Sequence, residues 1–196
     1  VIFRDGKRIM DAADICIPGV HNIENYMAAA CVVEGLASDA DIDAVARSFA
    51  GVEHRIELVR ELDGVRYYND SIASSPSRTI AGLHSFPQKV ILIAGGYDKH
   101  IPFDALGGEI CTHVKTLILC GATADKIRAA VTGAENYAPG QPEILQADDL
   151  AQAVRMAKDA AAPGDVVTLS PACAAFDQFK NFMVRGARFK ELVRAL

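Results

Sequence analysis

No Cys-x-x-Cys pair occurs in this sequence, no Gly-x-Gly-x-x-Gly, and no Gly-x-x-x-x-Gly-Lys-[Ser/Thr]. The first absence removes the usual zinc and dithiol redox spacings, the second a dinucleotide fingerprint, the third a P-loop. Cys16, Cys31, Cys111, Cys120 and Cys173 are odd in number, widely spaced and mostly set in apolar runs. They are expected to be free, buried thiols of a reducing compartment. Lys and Arg are scattered, and the formal net charge is -5. Nucleic acid and anionic membrane surfaces are therefore poor principal partners. No apolar run reaches the length of a membrane span, and the first residues lack the basic and apolar regions of a signal peptide. A cytoplasmic protein is expected.

What is present is ordinary globular material: 51% of the 196 residues are hydrophobic and 23% charged, enough to bury one sizeable core or a little more. The chain opens on "VIFRDGKRIM", which has the pattern of a β-hairpin turning at Asp5-Gly6. Residues 22 to 37 are almost wholly apolar after Asn25 and predict a buried helix. A second helix follows from Ser38, with Ser38 and Asp41 as a capping box, Ile42, Val45, Ala46 and Phe49 on one face, and Gly51 closing it. A hairpin and two helices cannot cover such surfaces alone, so residues 1 to 51 are expected to be the tail of a larger, truncated domain. Residues 52 to 196 form the second expected domain.

From Arg55 onward the pattern changes to short apolar runs alternating with helical segments. "RIELVRELDGVRYYND" predicts two strands joined at Asp63-Gly64, followed by strands at 89 to 96, 115 to 123, near "EIL" and at 165 to 172. Helices are predicted around 76 to 86, around 103 to 113, from Thr123, over "DDLAQAVRMAKDAAA" and from about Phe176. The expected fold is α/β: a Rossmann-like, doubly wound, mostly parallel sheet with an antiparallel hairpin at its start. In such sheets ligands bind at the carboxyl ends of the strands. The loops expected there are "NDSIASSP", "GGYDKHIP", "CGAT" and "SPACAAFDQ". Ser75 and Pro76 can start a helix whose first N–H groups would accept an anion, with the Ser74 hydroxyl beside them. Gly95 and Gly96 can let the backbone approach a ligand, and Lys99 can bind a carboxylate or phosphate as a point charge. His84 and His113 are read as satisfied surface or core positions, and the segment containing Arg185 and Gly186 as a solvated helix face whose start could hold a positional role.

The strings "HNIEN" (21 to 25), "HR" (54 to 55), "NDSIASSP" (69 to 76), "GGYDKH" (95 to 100) and "SPACAAFDQFKNFMVRG" (170 to 186) occur in the order and spacing of the Mur ligases, and the resemblance spans essentially the whole chain. Within that family the sequence is most similar to the members that add D-glutamate. The resemblance implies an ATP-dependent, ADP-forming amide ligase of peptidoglycan precursor synthesis, acting as a monomer. Its substrates would be UDP-N-acetylmuramoyl-L-alanine, D-glutamate and ATP, with an acyl phosphate between them. It further implies that Asn25 reads the adenine with support from Asn22, and that Arg55 and Asp70 reach the nucleotide from the second domain. Ser74 and Lys99 would clamp the α-carboxylate of D-glutamate, and a backbone N–H near Phe182 would meet its side-chain carboxylate. Magnesium ligands are expected mainly before Val1, no metal ligand is assigned within the chain, and the chain alone is expected to be inactive. Ile72, Ala175 and Met183 depart from the family pattern, which has lysine, serine and an acidic residue there. Two other readings stay open: a different Mur-type or folylpolyglutamate-type ligase, and a non-catalytic Rossmann-type binding module.

Overall fold

Asp5 and Asp63 both hold a positive φ, of 49° and 52°, and each is followed by a glycine with φ near 78°. That is the backbone of a two-residue hairpin turn whose twist suits the flanking strands. A computed structural model describes all residues, 1 to 196, and the chain divides into two units, Val1–Val52 and Glu53–Leu196.

In the first unit, β1 (Ile2–Arg4) pairs antiparallel with β2 (Lys7–Met10), followed by a 3-10 turn (Ala12–Asp14), α1 (Val20–Val32) and α2 (Asp39–Ser48). The capping box forms: Ser38 Oγ accepts from Asp41 N at 3.2 Å, and Asp41 Oδ2 accepts from Ser38 N at 2.9 Å. Ile2, Ile9, Met10, Ala30, Ile42 and Ala46 make a small core. The expected helix over 22 to 37 starts earlier and stops at Val32. Nor is it buried: within α1 only Asn22 and Ala30 are, while Val32 is 79% exposed and Leu36, just beyond it, 86%. One short hairpin and α2 offer too little surface to cover an apolar helix on all sides. Val45 and Phe49, expected on the buried face of α2, are likewise exposed, and the helix ends at Ser48 rather than at Gly51.

The second unit is a six-stranded sheet with helices on both faces. β3 (Glu57–Leu62) and β4 (Val65–Asn69) form the antiparallel hairpin; α3 (Pro76–Leu83), β5 (Val90–Ala94), α4 (Asp104–His113), β6 (Val114–Leu119), α5 (Ala124–Thr132), β7 (Glu143–Gln146), α6 (Leu150–Ala160), β8 (Val166–Leu169) and α7 (Phe182–Arg194) follow. The strand order is β3-β4-β8-β5-β6-β7, and every pairing after the hairpin is parallel.

The alternation of side chains along β5 explains why one sheet needs two helical layers. Val90, Leu92 and Ala94 join a cluster with Leu106, Ile110, Ile127 and Val131 from α4 and α5, whereas Ile91 and Ile93 join one with Leu150, Val154, Ala157 and Phe189 from α6 and α7. All five residues of β5 are buried. Each large aliphatic side chain removed from water in this way stabilises the fold by about 1.5–3 kcal/mol before entropy is counted. No helix is long and apolar enough to cross a membrane. All five cysteines are free; Cys111, Cys120 and Cys173 are buried as expected, while Cys16 and Cys31 are exposed.

In the second unit the last helix begins at Phe182 rather than near Phe176. Residues 176 to 181 are spent on a turn instead: Gln178 N and Phe179 N both donate to Ala175 O, and Asp177 Oδ2 accepts from Ala122 N at 3.2 Å. Asn181 then caps α7, its side chain accepting from Val184 N at 2.9 Å.

Candidate active site

Because β4, β8, β5 and β6 lie side by side and parallel, the segments that leave their carboxyl ends meet at one edge. Those segments are the four polar loops picked out above. What holds them together is Arg185, on the first turns of α7 and only 4% exposed. Its Nε donates to Ser71 Oγ at 3.0 Å and its Nη2 to Ser71 O at 2.9 Å. On the other side, Nη2 donates to Cys173 O at 3.0 Å and Nη1 to Ala174 O at 3.1 Å. One guanidinium thus fastens the loop after β4 to the loop after β8, using its planar fork of donors. Burial draws its pKa down to about 10, against the pull of Cys173, Asp177 and Cys120. It is still a cation at neutral pH.

Ser71 Oγ also donates to Phe182 O at 2.8 Å, which ties the same loop to the start of α7. The loop after β5 is attached by backbone: Tyr97 N donates to Ala174 O at 2.9 Å, Gly95 N to Pro171 O at 2.9 Å, and Thr123 N to Gly96 O at 3.1 Å. Gly95 and Gly96 have φ of 113° and 151°, and a Cβ on them would collide with the carbonyl oxygens of Cys120 and Ala174. Their use here is close approach of loop to loop, a requirement only glycine meets. Thr123 Oγ1 completes this layer with contacts to Gly96 N at 3.1 Å and Cys173 Sγ at 3.0 Å. Burial pushes the thiols of Cys120 and Cys173 up to about 11, so both stay protonated and unreactive.

Asp70 follows β4 directly and is 4% exposed. Ser170 Oγ donates to its Oδ2 at 2.7 Å and Ile56 N donates to its Oδ1 at 3.3 Å. Burial raises its pKa to about 7; those two hydrogen bonds, and more weakly Arg55 and Arg78, oppose the shift. The neighbouring turn is held in unusual backbone, with φ of 66° at His54 and 44° at Ile56. His54 Nδ1 lies 2.9 Å from Asn69 Nδ2, and Glu57 Oε2 accepts from both His54 N and Asn69 Nδ2. These contacts fix Arg55 between two buried residues while its own side chain is exposed.

Of the residues anticipated for D-glutamate, Ser74 is half-buried in the loop before α3, Lys99 is exposed in the loop after β5, and Phe182 opens α7 with its ring edge-on to His54 at 6.0 Å. The fastenings through Ser71, Arg185, Ala174 and Tyr97 join all three segments. Ser75 has the extended backbone of an N-cap and Pro76 takes the first helical position, but the Ser75 hydroxyl meets Ser77 Oγ at 3.3 Å instead of capping. Asn25 belongs to the first unit, where its amide donates to Asn22 Oδ1 at 3.2 Å and Asn22 in turn donates to Pro18 O at 2.6 Å. For a magnesium ion the second unit offers little. Asp70 and Asp177 accept protein hydrogen bonds, Asp98 is paired with Lys126 at 2.5 Å, and none of the three enters a cluster of possible ligands.

Two arrangements were not read from sequence. The Arg185 web spans 114 residues to Ser71 and 12 to Cys173, so no local pattern announces it. Likewise His84, Glu109 and His113 converge across α3 and α4, although the i, i+4 spacing of Glu109 and His113 was visible.

A parallel α/β sheet with glycine-rich, hydroxyl-rich loops converging at its carboxyl edge defines a domain of the doubly wound class, in which that edge is the usual place for a ligand. Residues 54–173 match the family "Mur ligase, glutamate ligase domain", and the chain belongs to the Mur ligases. It is 52% identical over 196 residues to the UDP-N-acetylmuramoylalanine–D-glutamate ligase of Clostridium beijerinckii and 55% identical over 201 aligned positions to that of Acetivibrio thermocellus. Both alignments take in 100% of this chain and 43% of the relative, so the chain spans less than half the length of these curated relatives. Among solved structures, the UDP-N-acetylmuramate-alanine ligase of Thermotoga maritima matches 91% of this chain and 39% of its own, with a TM-score of 0.66 at 14% identity. The folylpolyglutamate synthase of Mycobacterium tuberculosis, complexed with ADP, matches 90% and 41%, with a TM-score of 0.63 at 15% identity. At such identities the two likenesses speak for the fold.

Proposed function

We propose that this chain is the C-terminal part of a UDP-N-acetylmuramoyl-L-alanine:D-glutamate ligase, and that it contributes the D-glutamate site and part of the ATP site. The observation that carries the reading is identity above 50%, along the entire chain, to ligases named for D-glutamate. The geometry suits it. Two carboxylates must be bound while the amine is left free to attack, and the edge of the sheet offers a lysine, a hydroxyl and helix-start N–H groups for that purpose.

In this reading Lys99 and Ser74 hold the α-carboxylate, the charge of one complementing the directional donor of the other. A backbone N–H at the start of α7 near Phe182 meets the side-chain carboxylate, where the helix dipole favours an anion. Ala175 has no hydroxyl to offer, so this N–H carries the contact. Arg185 touches no substrate; it positions the loops that do. Arg55, held by the turn at His54 and Ile56, and Asp70 reach the nucleotide, and Asn25 reads the base. ATP supplies the activation that a resonance-stabilised carboxylate needs before an amine can attack. The chain's own residues then orient the amine and keep water from the activated group. Free, uncrosslinked cysteines suit a cytoplasmic setting.

The test is product formation by the full-length protein with UDP-N-acetylmuramoyl-L-alanine, ATP and magnesium, offering labelled D-glutamate, L-lysine, diaminopimelate or a folate with L-glutamate. Label entering the nucleotide product from D-glutamate alone is expected. Incorporation of another amino acid would keep the family and replace the substrate. ATP binding with no amino-acid dependence would favour a non-catalytic nucleotide-binding module.

A further inference from the structure

His84 caps the C-terminus of α3, and Glu109 and His113 lie one turn apart at the end of α4. Glu109 Oε2 sits between the two imidazoles, 2.7 Å from His84 Nε2 and 3.4 Å from His113 Nε2. The three ligand atoms all lie within 4.8 Å of one another, and the rings are tilted at 56° with centroids 4.9 Å apart. We infer that His84, Glu109 and His113 form a binding site for a zinc-class divalent transition metal ion that joins the ends of α3 and α4.

The chemistry and the spacing both favour it. Two imidazole nitrogens and one carboxylate oxygen are a common three-ligand set for zinc, leaving a fourth position for water. Ligands about 2.0 to 2.1 Å from a tetrahedral centre lie roughly 3.3 Å from each other. The Glu109–His113 separation already has that value, and the shorter Glu109–His84 hydrogen bond need only lengthen by rotation of an exposed side chain. His84 is 51% exposed on its side chain, so the open position faces solvent. The last turn of α4 adds the negative end of a helix dipole beneath His113. Imidazole ligands select zinc, copper, nickel or cobalt rather than magnesium, which prefers oxygen.

A second group of the same kind, Glu53, His54 and Glu57, shows what a satisfied cluster looks like. There Lys190 pairs with both Glu53 and Glu57, and His54 and Glu57 are bonded to Asn69. The cation is supplied by the protein. Around His84, Glu109 and His113 no lysine or arginine takes that part in any ion pair.

The ion would act on structure rather than chemistry. α3 is eight residues long, so His84 stands about 12 Å along the axis from Pro76, at the end opposite Ser74. Metal binding there would fasten α3 to α4 and raise the stability of the unit by mass action.

Equilibrium dialysis of the chain against zinc, in a Cys16→Ser, Cys31→Ser background that removes the exposed thiols, tests the site. One zinc per chain is expected, with a zinc-dependent rise in thermal midpoint and, with cobalt in its place, the visible bands of a low-coordinate ion. Paired His84→Gln and His113→Gln remove two of the three ligands and should abolish one-to-one zinc binding and the midpoint shift, while leaving the metal-free midpoint close to that of the background. Glu109→Gln, isosteric and on its own, removes the anionic ligand and should weaken zinc measurably. No bound zinc, or zinc held equally well by the variants, would overturn the proposal.

Discussion

Arg185 is the side chain on which the site's geometry depends. Its four hydrogen bonds end on Ser71 Oγ and on the carbonyl oxygens of Ser71, Cys173 and Ala174, all in buried surroundings. Arg185→Met keeps much of the volume and removes every donor. Losing a charged donor while leaving several acceptors unpaired costs about 3–5 kcal/mol, and urea unfolding should register a loss of that size. Asp70 predicts a pH dependence of definite sign. Its carboxyl is raised from an ordinary value of 3.8 to about 7, so between those values the folded state holds a proton that the unfolded state has released. Its contribution to stability is therefore complete below about pH 4 and is lost as pH rises through 7. Asp70→Asn removes this dependence. Urea midpoints measured from pH 4 to pH 8 should show the variant gaining on the parent as pH increases, and parallel curves would contradict the buried, protonated carboxyl.

At the level of elements, α7 is the strap that closes the edge of the sheet. It lies against β3 and β4, and its Gly186 faces His54 so closely that a Cβ would collide with Nδ1, with Asn69 Nδ2 at 3.1 Å behind it. In an exposed helix, glycine to alanine stabilises by about 1 kcal/mol. Here Gly186→Ala should destabilise instead, by about 1–3 kcal/mol, because the helix must move off the hairpin. His54→Ala placed beside it should restore part of the loss in a double-mutant cycle. Little of this was legible in the sequence, and the reason is distance along the chain. Strands, hairpin turns and most helix ends follow from apolar runs, Asp-Gly pairs and capping residues within a few positions of one another. Contacts such as Gly186 with His54 or Gly95 with Cys120 join segments whose proximity only the assembled sheet decides. Gly95 and Gly96, read as room for a ligand, turn out to be room for neighbouring loops. The late start of α7 has the same origin, since residues 176 to 181 are held by the loop after β6. Ser74 and Lys99 stand out as candidates because polar residues interrupt apolar ones at strand ends, whereas Asp70 becomes a candidate only through the family resemblance.

The two units of the molecule differ in how much core they own. Residues 53 to 196 enclose two large clusters on either face of β5, whereas residues 1 to 52 rest on six buried side chains, with α1 largely open to solvent. Backbone amides of β5, β6 and β8 should accordingly exchange with solvent only on global opening of their unit, and those of α1 and α2 by cheaper local opening. Hydrogen exchange read by mass spectrometry should show α1 and α2 labelled well before the central strands, and equal protection would contradict that ranking. The same contrast bears on function, because the proposed D-glutamate contacts all lie in the better-buried unit, and Asn25 alone among the proposed site residues lies in the other.

Assignment of this edge of the sheet as the D-glutamate site is tested most directly by phosphate release from the full-length protein with ATP, magnesium and UDP-N-acetylmuramoyl-L-alanine, adding D-glutamate or L-glutamate, in the parent and in Lys99→Ala. Release should require the D isomer, and the KM for D-glutamate should rise by about 10-fold or more in the variant, as expected for loss of a charged hydrogen bond to substrate. Because Lys99 is exposed, the thermal midpoint should not change. Release that ignores the isomer, or a KM for D-glutamate that Lys99→Ala leaves untouched, would contradict the assignment of this edge of the sheet as the D-glutamate site.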